Sequence, residues 1–175
     1  MPGSIPRLVM SLPSDSPNCP EVQQWVRAAI SADGPSIDAW LNARAPLPVP
    51  EARARRLSLD ALLEQGGHGI CLAGGTNAGQ DTLVCLMPVT LVQSLALGGR
   101  VAMVAEWWPP SAASSESWRD ACCAVLADWS RAHGIRHVLL APGLVTDAAR
   151  PPEGFQRDAD GLWLRSLVPS PKRLG

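Results

Sequence analysis

Apolar and polar positions alternate with two different periods along this chain, and the places where the period changes divide it into elements. The run Arg7 to Leu12 is short and extended and is followed by the Pro/Ser/Asp-rich stretch Pro13 to Pro20, which predicts a first strand entering a loop. From Glu21, the residues Val22, Trp25, Val26, Ala29 and Ile30 fall at helical spacing, and Asp33-Gly34 supplies a stop, so a helix is expected there. Ser36 predicts the cap of a second helix carrying Ile37, Trp40 and Leu41, closed by the Pro-rich connector Pro46 to Pro50. Glu51 to Gln65, with Leu57, Leu59, Leu62 and Leu63, predicts a third helix. Ser58 fits either its interior or the cap of a new segment.

The character changes between Gly66 and Gly98. Turn signals now bound runs of β-formers, His68 to Ala73 and Thr82 to Val92, with Gly74-Gly75-Thr76-Asn77 between them, which predicts a hairpin. Gly98-Gly99 turns into Arg100 to Trp108, a third consecutive strand that is apolar on both faces apart from Glu106. After Pro109-Pro110, Trp118, Cys122, Val125, Leu126 and Trp129 make one helical stripe, with Ser114 or Ser115 placed to cap it and Gly134 to end it. Arg136 to Ala141 reads as a buried strand and Leu144 to Arg150 as a short helix. Phe155-Gln156 and Leu162 to Val168 read as a closing hairpin across Asp160-Gly161. This order of strand, helices, meander, long helix, strand and hairpin predicts an α/β (mixed α+β) fold with a mixed, mainly antiparallel central sheet flanked by helices. The expected domain spans residues 1–168, with a loose tail over 169–175.

Composition narrows the functional classes. The 175 residues, 46% of them hydrophobic, suit one domain with a sizeable core. A net charge of -1 gives no overall basic field, so neither nucleic acid nor an anionic membrane is the expected partner. The apolar stretch Ile5 to Leu12 is interrupted by Pro6 and Arg7 and is too short to span a membrane or serve as a secretory core, so a cytoplasmic location is expected. The five cysteines, Cys19, Cys71, Cys85, Cys122 and Cys123, have no CxxC spacing, and His68, His133 and His137 have no ligand spacing. Reduced thiols and no metal site follow as expectations. The chain has seven Trp, one Phe and no Tyr, so no phenol is available as a proton donor.

Several segments in order resemble the core of the GNAT superfamily of N-acetyltransferases. They are Gly99-Arg-Val-Ala-Met-Val-Ala-Glu-Trp-Trp-Pro-Pro, the helix ending Leu126-Ala-Asp-Trp-Ser-Arg-Ala-His-Gly134, the strand Arg136-His-Val-Leu-Leu, the turn Glu153-Gly154-Phe155 and the strand Leu162-Trp-Leu-Arg-Ser-Leu167. The resemblance covers most of the chain and implies acetyl-CoA or another acyl-CoA as co-substrate, with no metal. In that family, backbone amides at a helix N-terminus grip the pyrophosphate, aided by the helix dipole and by loop glycines that admit the phosphates. The matching segment here, Ser114-Ser-Glu-Ser-Trp-Arg-Asp120, contains no glycine. Ser114, Ser115 and Ser117 offer hydroxyl donors and Arg119 a guanidinium, whereas Glu116 opposes an anion. The same residues also make an ordinary helix cap and first turn. Trp107 and Trp108 are candidates to line the acyl or substrate channel, one of them alternatively filling the core.

Glu106 occupies the place where some polyamine-acetylating members carry a carboxylate that takes a proton from the attacking amine. On an apolar strand beside two indole rings, desolvation would favour its protonated form, which suits a general base. A solvent-facing or Arg-paired Glu is the structural alternative. The family's Tyr, which protonates the leaving thiolate, has no counterpart, and by spacing its place falls near Arg150. Arg53, Arg55 and Arg56 form a basic cluster expected to be a solvated helix face. The resemblance and its two departures imply one of two functions: an acyl-CoA-dependent N-acyltransferase acting on a small-molecule or protein amine, or a catalytically inactive GNAT-fold protein that binds a protein partner.

Overall fold

The computed structural model describes residues 8–10, 23–77, 82–110, 115–145 and 150–168. Among these, eight strands form one sheet: β1 (Leu8–Met10), β2 (Gln24–Ala28), β3 (Gly69–Thr76), β4 (Thr82–Ser94), β5 (Gly99–Val104), β6 (His137–Leu140), β7 (Gln156–Arg157) and β8 (Trp163–Ser166). Their spatial order is β1-β2-β3-β4-β5-β6-β8-β7, and every pairing is antiparallel except β5 with β6, which is parallel. Three helices accompany the sheet: α1 (Gly34–Arg44), α2 (Val49–Leu63) and α3 (Ser115–Ala132). The mixed, mainly antiparallel sheet flanked by helices is the predicted architecture.

Both faces of the sheet are covered. Ile70, Leu72, Cys85 and Met87 pack with Trp118, Cys122 and Leu126 of α3. Their neighbours in the chain, Cys71, Ala73 and Leu86, pack on the other face with Ile37 and Leu41 of α1 and Leu59 and Leu63 of α2. Successive strand residues thus enter two separate cores, so the strands read as nearly continuous apolar runs. Each Leu or Ile buried in this way contributes about 1.5–3 kcal/mol.

This double burial corrects the expected helix from Glu21. Residues 24–28 are strand β2, which pairs Gln24 with Thr76 and Ala28 with Leu72. Trp25 and Ala29 face α1 and α2, whereas Val26 and Ala28 face α3. Apolar residues at 25, 26, 28 and 29 mimic a helical stripe because the strand is buried on both sides. Asp33-Gly34 accordingly starts α1 instead of ending a helix. Ser36 does not cap α1, since its Oγ donates to the Asp33 carbonyl at 2.8 Å. Asp33 instead receives a bidentate bond from Arg27 at 2.6 and 2.8 Å and accepts the Ile30 N–H. α2 runs through Ser58 without a break, its hydroxyl bonded back to the Ala54 carbonyl at 3.2 Å.

Gly74 and Gly75 are not the turn that was expected; they lie inside β3. A Cβ on Gly74 would sit 2.5 Å from Cys85 Sγ and 3.0 Å from the Trp118 ring, and one on Gly75 would strike the Trp25 ring and the Thr82 carbonyl. The two glycines let one indole lie against each face of the strand. α3 is the helix anticipated from its apolar stripe. Its buried face is rotated slightly, taking in Arg119, Cys123, Ala127 and Ser130 while leaving Val125 and Trp129 half-buried. Gly134, at φ +71°, ends it in the left-handed conformation that glycine tolerates. The short helix expected over Leu144 to Arg150 is a 3-10 turn at Pro142–Leu144, and 146–149 lie outside the described residues. Pro13 to Pro20, with Cys19 among them, Ser114 and the tail over 169–175 lie outside them as well.

Candidate functional site

The third strand of the meander was expected to run to Trp108, but its regular ladder ends at Val104. On one side, Thr90 of β4 faces Met103, while the next pairing is an isolated bridge between Leu86 and Trp108. Four steps along β4 therefore match five along β5, so the chain after Val104 carries one extra residue, a β-bulge. Pro88 explains its position. The backbone of Leu86 exchanges both hydrogen bonds with Trp108, so alternate residues of β4, Pro88 among them, turn their backbone toward β5. Proline has no N–H to donate there, and the ladder opens.

On the other side, β5 and β6 part company. Their parallel pairing ends with Val104 opposite Leu140, closed by the Ala141 N–H on the Val104 carbonyl at 2.9 Å. β6 then enters the 3-10 turn at Pro142–Leu144, while β5 bends toward Leu86. Residues 105–107 belong to neither ladder.

The bulge also changes which face each side chain meets. Ala102 and Val104 point into the core under α3. Strict alternation would put Trp108 on that side too, but the extra residue shifts the phase. Trp107 packs against the α3 core and Trp108 against the α1–α2 core. The Trp107 indole N–H reaches Ser115 Oγ at 3.3 Å, tying the bend after β5 to the first residue of α3. Trp108 meets Trp40 edge to face at 6.5 Å, and Arg44 lies 4.1 Å over the Trp40 ring while donating to the Pro109 carbonyl.

Glu106 stands at the mouth of a cavity of about 270 Å³ on the α1–α2 face. Leu41, Leu59, Leu62, Leu86 and Trp108 supply apolar wall, and Arg55, Ser58 and Cys71 supply polar atoms. The Glu106 carboxylate is exposed and accepts the Trp108 indole N–H at 3.3 Å. The burial between two rings that the sequence suggested is therefore absent: Trp107, the next residue, faces the other side of the sheet, and the strand end opens to solvent. Cys71 is fully buried in the cavity wall, and burial, followed by the negative charges of Glu106 and Asp33, pushes its thiol up to about 12. It is a neutral thiol at physiological pH.

At the N-terminus of α3, Ser115 is half-buried and Glu116 and Ser117 are exposed. Arg119 departs from its expected role. It is 5% exposed and its Nη2 donates to the Arg150 carbonyl at 2.9 Å, with Asp120 at 3.3 Å. Its Nε is buried without a partner. That guanidinium anchors the segment after β6 instead of facing an incoming phosphate. Trp108, expected among the cofactor contacts, lines the pocket on the opposite face of the sheet.

Arg55 is the residue that the sequence reading passed over. In place of a solvated cluster, α2 presents Arg53 to solvent, pairs Arg56 with Asp60 at 2.9 Å and Asp38 at 3.7 Å, and turns Arg55 into the cavity. The signal was its spacing: Arg55, Ser58, Leu59 and Leu62 fall on one helical face. The three histidines remain apart, His133 stacking on Trp129 at 4.1 Å. No group of three or more metal-ligating side chains occurs among the described residues. Nor is any helix among them long and apolar enough to cross a membrane.

No family model and no curated protein matches the chain. Solved structures do resemble it. A GNAT family N-acetyltransferase from Escherichia coli in complex with CoA superposes with a TM-score of 0.59 at 17% identity, over 86% of this chain and 85% of that one. An acetyltransferase of the GNAT family from Listeria monocytogenes gives 0.50 at 15% identity, over 82% and 93%. An aminoglycoside acetyltransferase from an uncultured soil metagenomic sample, in complex with trehalose, gives 0.51 at 10% identity, over 67% and 76%. With its opened β5–β6 pair, its long helix after β5 and its closing β7–β8 hairpin, this chain has the fold of the GNAT-type N-acetyltransferases.

Proposed function

We propose that the protein is an acyl-CoA-dependent N-acyltransferase that moves an acetyl group from acetyl-CoA to an amine by direct attack. The observation that carries this reading is the opening between β5 and β6, with the first residue of α3 on one face of the sheet and the Glu106 pocket on the other. A thioester lying in the opening would meet an amine held in the pocket. The N-terminal amides of α3, from Ser115 onward, lack acceptors within the helix and have the polarity that attracts pyrophosphate. Ser115 and Ser117, with Ser114 before them in the sequence, add hydroxyl donors, and the Trp107 indole N–H holds Ser115. When bound, the donor supplies the activated acyl carbon.

The residues of this chain act on the acceptor. Glu106 takes one proton from the ammonium group and leaves a neutral amine. The amine nitrogen attacks the thioester carbonyl carbon, an N–C bond forms and the C–S bond breaks. The nitrogen gives up a further proton to the departing sulfur through water, since no Tyr exists to do this, and the products are an amide and the free CoA thiol.

A binding protein without catalysis is the second reading, favoured by the glycine-free segment Ser114 to Asp120 and by the inward turn of Arg119. Calorimetric titration with acetyl-CoA and with a longer acyl-CoA separates the two. Binding of neither at millimolar concentration would sink the enzyme. If a donor binds, Glu106→Gln should lower kcat about 10²–10⁴-fold with donor affinity retained. Unchanged turnover would remove Glu106 from its role.

A further inference from the structure

The cavity that Glu106 overlooks contains a second, opposite charge with no counter-ion among the described residues. Arg55 is held by neutral groups alone: Nη1 donates to the Ala45 carbonyl at 2.8 Å and Nη2 to Asn42 Oδ1 at 2.6 Å. Its Nε is buried and has no acceptor. No carboxylate pairs with it among the described residues, although its neighbour Arg56 has two. Among the described residues Glu106 likewise has only the Trp108 indole N–H, and no ion pair joins it to Arg55. A half-buried guanidinium fixed at both ends of its fork, with a spare donor, is a preorganised partner for a carboxylate.

Apart from Ser58 and Cys71, the remaining wall is apolar, with Leu41, Leu59, Leu62, Leu86 and Trp108 its main contributors. At about 270 Å³ the cavity is smaller than the roughly 300–1,000 Å³ typical of sites for drug-sized ligands. It suits one compact solute that carries an amine, an anion and a hydrocarbon body. We propose that the acceptor is a free amino acid with an apolar side chain: its amine lies at Glu106, its carboxylate on Arg55 and its side chain among the leucines. This rests on the acyltransferase reading for the reaction, but not for the binding. Arg55 is thereby a specificity-determining residue, because an amine lacking the carboxylate leaves its guanidinium uncompensated.

The test uses the full chain and four probes: L-leucine, L-leucinamide, 3-methylbutylamine and 4-methylpentanoate. Calorimetry without any donor reads binding, and thiol release from acetyl-CoA reads transfer. Leucine should bind at least about tenfold more tightly than leucinamide, as expected for a charge-assisted hydrogen bond, and both single-headed analogues should bind more weakly than leucine. Arg55→Gln should collapse the leucine-to-leucinamide ratio toward one, in Kd and in KM alike, with Arg55→Lys restoring part of it. Equal affinity for leucine and leucinamide in the wild-type protein overturns the proposal, whether or not the Gln variant folds. So does absence of leucine binding at millimolar concentration, or a ratio that survives Arg55→Gln. Discriminating binding without thiol release would uphold the pocket and refute acyl transfer. Thiol release with 3-methylbutylamine and no preference for leucine would do the reverse.

Discussion

Raising the pH from 8 to 10 should cost this protein about 3 kcal/mol of stability through two buried thiols. Burial pushes Cys71 and Cys123 up to about 12 from an ordinary value of 9.0. Between those values the unfolded chain releases the thiol protons and the folded chain keeps them, so stability falls as pH rises. It is fully present below pH 9 and declines toward pH 12, at about 1.4 kcal/mol per unit for each thiol. By pH 10 each has cost about 1.4 kcal/mol, a large part of a total of about 5–15 kcal/mol. Cys122, raised by a hydrogen bond with Cys85 and by burial, adds in the same direction. The composition isolates the effect, because the chain has one Lys and no Tyr to titrate in this range, and seven Trp report unfolding by fluorescence. Denaturant titrations at pH 8, 9 and 10 should show the midpoint falling with little change in slope. Cys71→Ala/Cys123→Ala should be less stable at pH 8 but markedly less pH-dependent. Stability that is constant from pH 8 to 10, or an equally steep fall in the double variant, would refute the reasoning.

Two further outcomes follow from contacts in the sheet. Gly75→Ala should destabilise by about 1–3 kcal/mol or more, since the added methyl meets a backbone carbonyl as well as the Trp25 ring; a thermal midpoint within a degree of wild type would contradict that close approach. Asp33→Asn should cost about 1.5–3 kcal/mol at neutral pH by removing the charge that Arg27 and the Ile30 N–H engage. The Arg27 hydrogen bond holds Asp33 below its ordinary 3.8, so its stabilisation is present above that value and is lost as pH falls through the lowered one. The gap between wild type and variant in urea should therefore close in acid; a constant gap would show that the charge is not involved.

α3 was legible from its sequence because a long helix with one wet face imposes its own period. β2 was not, because its apolar positions serve two cores at once and the residues that make it a strand, Gly69–Thr76, lie more than forty positions away. Gly74-Gly75 looked like a turn for the same reason: nothing near them in the chain announces the two indoles that lie against them. Glu106 was legible as a lone carboxylate on an apolar strand, but its exposure depends on the bulge. Arg55 was hidden by its company, since three arginines in four positions suggest a solvated face until α1 packs beside α2 and closes the cavity.

The extra residue after Val104 is slack that the sheet absorbs at one spot. With Ala105 removed, Trp107 would stand two positions after Val104 and Trp108 three, so plain alternation would still send Trp107 under α3 and Trp108 to the α1–α2 face. The steps from Met103 to Trp108 would then equal those from Thr90 to Leu86, and the bulge would vanish. The chain would lose the bend that carries Glu106 out to solvent while keeping both indoles in place. A relative one residue shorter there would share the fold and the ring positions and differ in how far its strand end opens.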